Sequence, residues 1–289
     1  LSLSKKFPEY EFSWKVLGAI YQKKGKFTEA LIANKKAISL NPHDPEVFNN
    51  LGVTLKNLER LKEAEPMFRK ALLLKANYLD AHYNLGNTLK ALGKLKEAEK
   101  SFCDAIKLNP NYFAAYNNLG NTLKELGKLD EATTSISKAI TLNPLYAEAY
   151  NNLGVILLTK NLYDNAIKMF DQAIHLCKQS THDNMLLASS YKNKGLSYLS
   201  LNEFGKVRDN FIKALSFDKN TQYADGFVCY SKLYCADWGN LDYYKSQALK
   251  KISENKKSIT PFCSFSITDD PDIQLKVTKI ADKANTMNK

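Results

Sequence analysis

Apolar and small residues return along this chain at a fixed interval of 34. Gly18, Gly52, Gly86, Gly120 and Gly154 mark it, each preceded by a leucine (Leu17, Leu51, Leu85, Leu119 and Leu153). Twelve residues after each glycine stands Ala30, Ala64, Ala98, Ala132 or Ala166, and seven further on Ala37, Ala71, Ala105, Ala139 or Ala173. Pro8, Pro42, Pro110 and Pro144 keep the same period, with Ala76 in the one vacant slot. Counted from residues 11, 45, 79, 113 and 147, positions 4, 7, 8 and 11 of each unit fall on one stripe of a helix. In the second unit that stripe is Phe48, Leu51, Gly52 and Leu55, and a second helix answers it with Ala64, Phe68 and Ala71. The pattern predicts two antiparallel helices per unit, with small residues where they approach closely. Gly25, Gly93 and Gly127 lie between the helices, where a left-handed residue ends the first, and Asn161 and Asn202 tolerate the same geometry. Asp44-Pro45 reads as an N-cap followed by the first helical residue of the next unit.

Six or more positions recurring together at this period resemble the tetratricopeptide repeat. The resemblance implies an all-α chain, a right-handed superhelical solenoid of helix-turn-helix repeats in which each unit contacts only its neighbours. Five units span 11–180. A sixth, anchored by Tyr191, Gly195, Tyr198, Phe211 and Ala214, completes the 11–221 array after a seven-residue insertion near 178–186, where a longer second helix or a loop is expected. Residues 1–10, ending in Phe7-Pro8 before Glu9 and Tyr10, match the tail of a repeat whose beginning is absent. The front of the array is therefore expected to expose an uncapped apolar face. Residues 222–258 read as one more helical pair, Ala224–Cys235 and Leu241–Ser253, and 259–289 as a linker.

Composition narrows the partners. With 44% hydrophobic and 25% charged residues the chain is neither disordered nor a disulfide miniprotein. No run of 18 apolar residues is present, so no membrane-spanning helix is expected. The net charge of +11 raises nucleic acid as a ligand. Yet among 41 basic residues the only arginines are Arg60, Arg69 and Arg208, and the charge is spread along the chain. Arginine is the side chain suited to bidentate phosphate and base contacts, so no nucleic-acid partner is expected. Five cysteines, an odd number with no paired spacing, point to a reducing, cytoplasmic setting. His175, Cys177 and His182 lack the spacing of a zinc site, and core packing or solvent exposure is the simpler account.

On the first helix of each unit, positions 2, 6, 9 and 13 lie opposite the core stripe and are expected to face the hollow of the superhelix. Position 6 is Asn50, Asn84, Asn118, Asn152 and, after the insertion, Asn193; position 9 adds Asn87 and Asn121. A carboxamide both donates and accepts, so a row of them can hold the backbone of an extended polypeptide whatever its side chains. The competing account is that these residues only solvate a helix. Lys56, Lys90 and Lys124 repeat at position 12 beside the row, either favouring acidic stretches in a ligand or forming a solvated helix edge.

The last seventy residues leave the rhythm. Cys235-x-Asp237-Trp238, then Pro261-Phe262, then Asp269-Asp270-Pro271-x-x-Gln274-Leu275 resembles the segment joining repeats to catalytic domain in bacterial relatives of the protein O-GlcNAc transferase (SPINDLY-type) family, as does Asn-Asn-Leu-Gly at 49–52, 117–120 and 151–154. That resemblance implies an acceptor-binding repeat region whose glycosyltransferase domain, holding the UDP-sugar donor, lies beyond Lys289. No Gly-rich phosphate loop and no acid–base constellation occurs in this chain, so no catalytic residue and no cofactor is assigned to it. Asp270 and Pro271 read as a helix start rather than a metal site. The alternative function is a stand-alone scaffold that assembles protein partners through the same groove.

Overall fold

The structure, a computed structural model, describes residues 8–180, 183–265 and 267–286; the described residues are helices and turns. They fall into two compact units divided after Asn143. The first unit holds four helical pairs: α1 (Glu11–Lys23) with α2 (Phe27–Leu40), α3 (Pro45–Asn57) with α4 (Leu61–Leu74), α5 (Leu79–Ala91) with α6 (Leu95–Leu108), and α7 (Phe113–Glu125) with α8 (Leu129–Leu142). Their phase is that of the 34-residue count. Asp44 caps α3 by accepting the Glu46 amide at 2.8 Å, with Pro45 as first helical residue.

Inside each pair the glycine at position 8 sits under a large side chain of the second helix. A Cβ placed on Gly52 would lie 2.6 Å from the ring of Phe68, and one on Gly86 would lie 2.7 Å from that of Phe102. Ile136 covers Gly120 in the same way. Phe68, Phe102 and Ile136 are fully buried, and the alanines flanking them, such as Ala64, Ala71, Ala98 and Ala105, are also at 0% exposure. Burying each such side chain contributes on the order of 1.5–3 kcal/mol. The first pair departs from the rule: Asn34 takes the ring's place, donates to Thr54 Oγ1 at 3.0 Å, and leaves its Oδ1 without a partner.

The turn inside each pair is left-handed at one residue. Gly25, Gly93 and Gly127 have φ of 69°, 74° and 78°, and Asn161 and Asn202 both have 59°. The second pair has no glycine there, and Glu59 adopts φ 60° in its stead. Successive first helices touch one another along the unit, whereas contact between repeats otherwise runs from each second helix to the next first helix. The first helices therefore line the tighter side of the stack.

The second unit continues with α9 (Ala147–Thr159), α10 (Tyr163–Ser180), α11 (Asn184–Ser200) and α12 (Phe204–Phe217). The insertion is absorbed as helix: α10 has 18 residues where α8 has 14, and α11 has 17 where α9 has 13. Residues 181 and 182, in the middle of it, lie outside the described residues. The pair α13 (Ala224–Tyr234) and α14 (Leu241–Ser253) follows, then a short α15 (Pro261–Ser264) and α16 (Pro271–Thr286). The stretch read as a linker is packed into this unit: Ile259, Cys263, Ile267 and Val277 share one core with Cys229, Leu241, Ala248 and Ile252. The amides of Tyr223 and Gly226 donate to Lys257 O and Ser258 O at 2.8 and 3.1 Å, so the chain after α14 is stitched to the start of α13.

Two substitutions test this account. Gly86→Ala forces a methyl into the Phe102 ring and is expected to destabilise the chain by roughly 1–3 kcal/mol in urea denaturation. Glu59→Gly removes a Cβ from a left-handed position and is expected to stabilise it by about 1 kcal/mol, read as a higher unfolding midpoint.

Candidate peptide-binding face

The asparagines of position 6 are half-buried in the first unit, and the structure gives much of their hydrogen-bonding capacity to neighbouring repeats. Asn84 Nδ2 donates to Asn49 Oδ1 at 3.1 Å, and Asn118 Nδ2 donates to Tyr83 Oη at 3.0 Å and to Asn87 Oδ1 at 2.8 Å. In the second unit Asn193 is buried, and its Nδ2 donates to Asn151 Oδ1 at 3.3 Å, which Ser190 Oγ also approaches at 3.2 Å. Position 6 of one repeat thus meets position 5 of the repeat before it. Asn152 is half-buried and also engaged. Asn50 and Asn121 are half-buried too, and their carboxamides have no side-chain hydrogen bond among the described residues.

The sequence reading passed over position 5. Asn49, Asn117 and Asn151 are buried there, the first residue of each Asn-Asn-Leu-Gly run. The doublet was the available signal, but a helical stripe drawn through one repeat cannot show that two neighbouring asparagines serve two different repeats. Thr54, Thr88 and Thr122, at position 10, are fully buried on the same side of their helices. Gln22 reaches from the first repeat to donate to Asn50 O at 2.6 Å and to Thr54 Oγ1 at 2.5 Å.

The three lysines of position 12 are not equivalent. Lys90 lies 3.5 Å from Glu125, at position 13 of the following repeat. The residue in that place after Lys56 is Ala91, and burial alone pushes the Lys56 ammonium below its ordinary pKa. Burial also lowers Lys124, with Glu125 opposing the shift and Lys90 adding to it.

The C-terminal motif has a structural explanation. Lys232, buried in α13, donates to Asp237 Oδ2 at 2.7 Å and to Gly239 O at 2.6 Å, Arg208 adds a bond to Asp237 at 3.0 Å, and the Gly239 amide closes on Asp237 Oδ1 at 3.1 Å. The Lys232 bond holds Asp237 below the usual carboxylate range. Trp238 is exposed. Asp270 caps α16 by accepting the Asp272 and Ile273 amides, and Gln274 Nε2 returns to Thr268 O at 2.8 Å. His175 is exposed and Cys177 buried with its Sγ 3.4 Å from Asp183 O; His182 lies outside the described residues. No group of three metal-binding side chains occurs among the described residues. No described helix is long and apolar enough to cross a membrane.

Comparison with known proteins agrees with this architecture. Family models described as tetratricopeptide repeat or TPR repeat match residues 12–44, 33–65, 86–127, 120–161 and 145–220, more than half of the chain. The chain belongs to the tetratricopeptide-repeat proteins. A search of curated proteins gave no match. Among solved structures, MamA is similar over 57% of this chain and 97% of its own, with 28% identity and a TM-score of 0.53. The Cut9–Hcn1 hetero-tetramer of the APC/C is similar over 96% of this chain and 50% of the matched one, at 15% identity and a TM-score of 0.68. YrrB, described as a TPR protein with an unusual peptide-binding site, covers 70% of this chain and 98% of its own at 23% identity, with a TM-score of 0.52. The last two likenesses, both below 25% identity, concern the fold.

Removing the carboxylate that answers buried Lys232 tests the C-terminal network. Asp237→Ala is expected to lower the chemical-denaturation midpoint at neutral pH, because it leaves the buried Lys232 ammonium without its carboxylate. Because the folded pKa of Asp237 is depressed, its contribution is complete above the ordinary value of about 3.9 and fades as pH falls through the folded value. Wild type and Asp237→Ala should therefore converge in stability under acid conditions.

Proposed function

We propose that this chain is a polypeptide-binding module, a scaffold whose first helices hold an extended segment of a protein partner. The observation that carries the reading is the polar row on the tighter side of the stack. Half-buried carboxamides recur there at position 6 of α3, α5, α7 and α9, and those of Asn50 and Asn121 have no side-chain partner among the described residues. The remaining asparagines hold the row in register through bonds between repeats, so the free groups sit on a prearranged surface. Tetratricopeptide membership and the likeness to MamA support a protein–protein role ahead of a chemical one.

The test uses peptides selected from a random library of extended dodecapeptides against the whole chain. Asn50→Ala with Asn121→Ala is expected to weaken their binding about 10-fold, two lost hydrogen bonds at roughly 0.5–1.5 kcal/mol each, with an unchanged unfolding midpoint. Asn84→Ala and Asn118→Ala should lower affinity and stability together, since those side chains also bond between repeats. Unaltered affinity in the first double variant overturns the reading.

A finer reading rests on the order of residues in 235–275: the module presents acceptor protein to an O-GlcNAc transferase-like catalytic domain. The structural duties of Asp237, Asp270 and Gln274 weaken that inference, because those residues are explained without an enzyme. Neither the matched family models nor the structures named above include a glycosyltransferase, and the scaffold reading stands ahead of it. A reading frame that continues past Lys289 into alternating strands and helices would support the finer reading, and a stop codon there would end it.

A further inference from the structure

The cations of the first unit are matched on its second helices and unevenly matched on its first. Lys94 and Lys128, just before α6 and α8, each lie 2.8 Å from a carboxylate of the preceding repeat, Glu65 and Glu99, and Arg69 bridges Glu65 and Glu97. On the first helices, position 12 carries Lys56 in α3, Lys90 in α5 and Lys124 in α7, all half-buried. Lys90 has Glu125 of the next repeat at 3.5 Å. Lys56 and Lys124 make no ion pair among the described residues, and burial disfavours the charge of each. An ammonium that has already lost part of its hydration gains more from an incoming carboxylate than a fully solvated one does.

Lys56 stands seven residues after Asn49, two turns along the side of α3 that bonds to Asn84 of the next repeat. Lys124 holds the same place on α7, one turn after the open carboxamide of Asn121. Both ammonium groups therefore border the asparagine row. Neighbouring helices pack about 8–10 Å apart, which separates Lys56 and Lys124, two repeats apart, by about 16–20 Å. An extended polypeptide rises about 3.3 Å per residue and turns alternate side chains to one face, so residues about six apart meet both conditions. Glu125 puts a negative charge beside Lys90, between the two. That charge repels an unbroken polyanion such as nucleic acid and spares a polypeptide whose charges come at intervals.

We infer that the polypeptide held on this face is acidic and sets two side-chain carboxylates, about six residues apart, on Lys56 and Lys124. Selection of the partner by charge presupposes the polypeptide-binding reading: the asparagines grip backbone, and the lysines choose among side chains.

Dodecapeptides selected from the random library against the whole chain are the probe. The selected sequences are expected to carry paired Asp or Glu about six residues apart. Replacing Lys56 and Lys124 together with Met should weaken their binding at least about 10-fold in calorimetry at low salt, and by less at about 0.5 M salt. The unfolding midpoint should hold or rise, because two uncompensated half-buried charges are removed. Glu125→Gln frees Lys90 and should tighten binding about 3-fold, a gain that misfolding does not produce. Selected peptides without paired acidic residues, or acidic peptides indifferent to the lysine replacement, would overturn the acidic partner and leave polypeptide binding to be judged by Asn50→Ala with Asn121→Ala. Failure to select any peptide would overturn both. A single-stranded oligonucleotide that binds more tightly than the peptides, and loses affinity with the same two lysines, would overturn the acidic polypeptide in favour of nucleic acid.

Discussion

A hydrogen atom in place of a side chain, at the eighth position of each repeat, lets the two helices of a pair close until the ring or branched chain of the second lies against the backbone of the first. Phe68 on Gly52, Phe102 on Gly86 and Phe170 on Gly154 are the same contact repeated, and Phe211 lies on Gly195 in the last full repeat. The flanking alanines are buried because the helices are that close, and the leucine stripe reaches its partners for the same reason. No single central core is needed: each pair carries its own, and the array is stabilised by what each pair adds to its neighbour. Asn34, in the first pair, keeps the geometry with a polar group and an unpartnered oxygen, so that pair is the one built with the least apolar burial at its centre.

A second set of contacts, between repeats, is polar. Asparagine at position 6 bonds to position 5 of the repeat before it, and threonine at position 10 is buried on the same side. Such bonds are directional where apolar contacts are not, so they fix the register in which one pair stacks on the next. They also divide the asparagine row by role. Some carboxamides are committed to the stack, and those left over, on Asn50 and Asn121, are held at defined places by it.

Much of this was legible along the chain. The period, the helix boundaries, the left-handed turn residues and the caps at Asp44 and Asp270 all follow from local chemistry, and local chemistry is written in local sequence. The candidate site was legible only in part. Residue spacing placed the asparagines on one face, but whether a carboxamide is open or spent depends on residues 31–42 positions away, which no stripe on one helix reveals. The stretch 259–289 looked like a linker because its rhythm is broken. Its isolated apolar residues, Ile259, Cys263, Ile267 and Val277, gain meaning only once α13 and α14 stand beside them.

The amino-acid sequence by itself determined that this protein is a chain of paired helices with asparagines in a row along the first helices that follow α1, because helix formation and pair closure depend on residues within one 34-residue unit. The tertiary structure alone decided how that row is shared between internal bonds and open groups. It also decided that the aspartate of the Cys-x-Asp-Trp motif answers a buried lysine and an arginine from α12. Those outcomes depend on which side chains meet across the gap between units, and distance along the chain carries no information about distance across it.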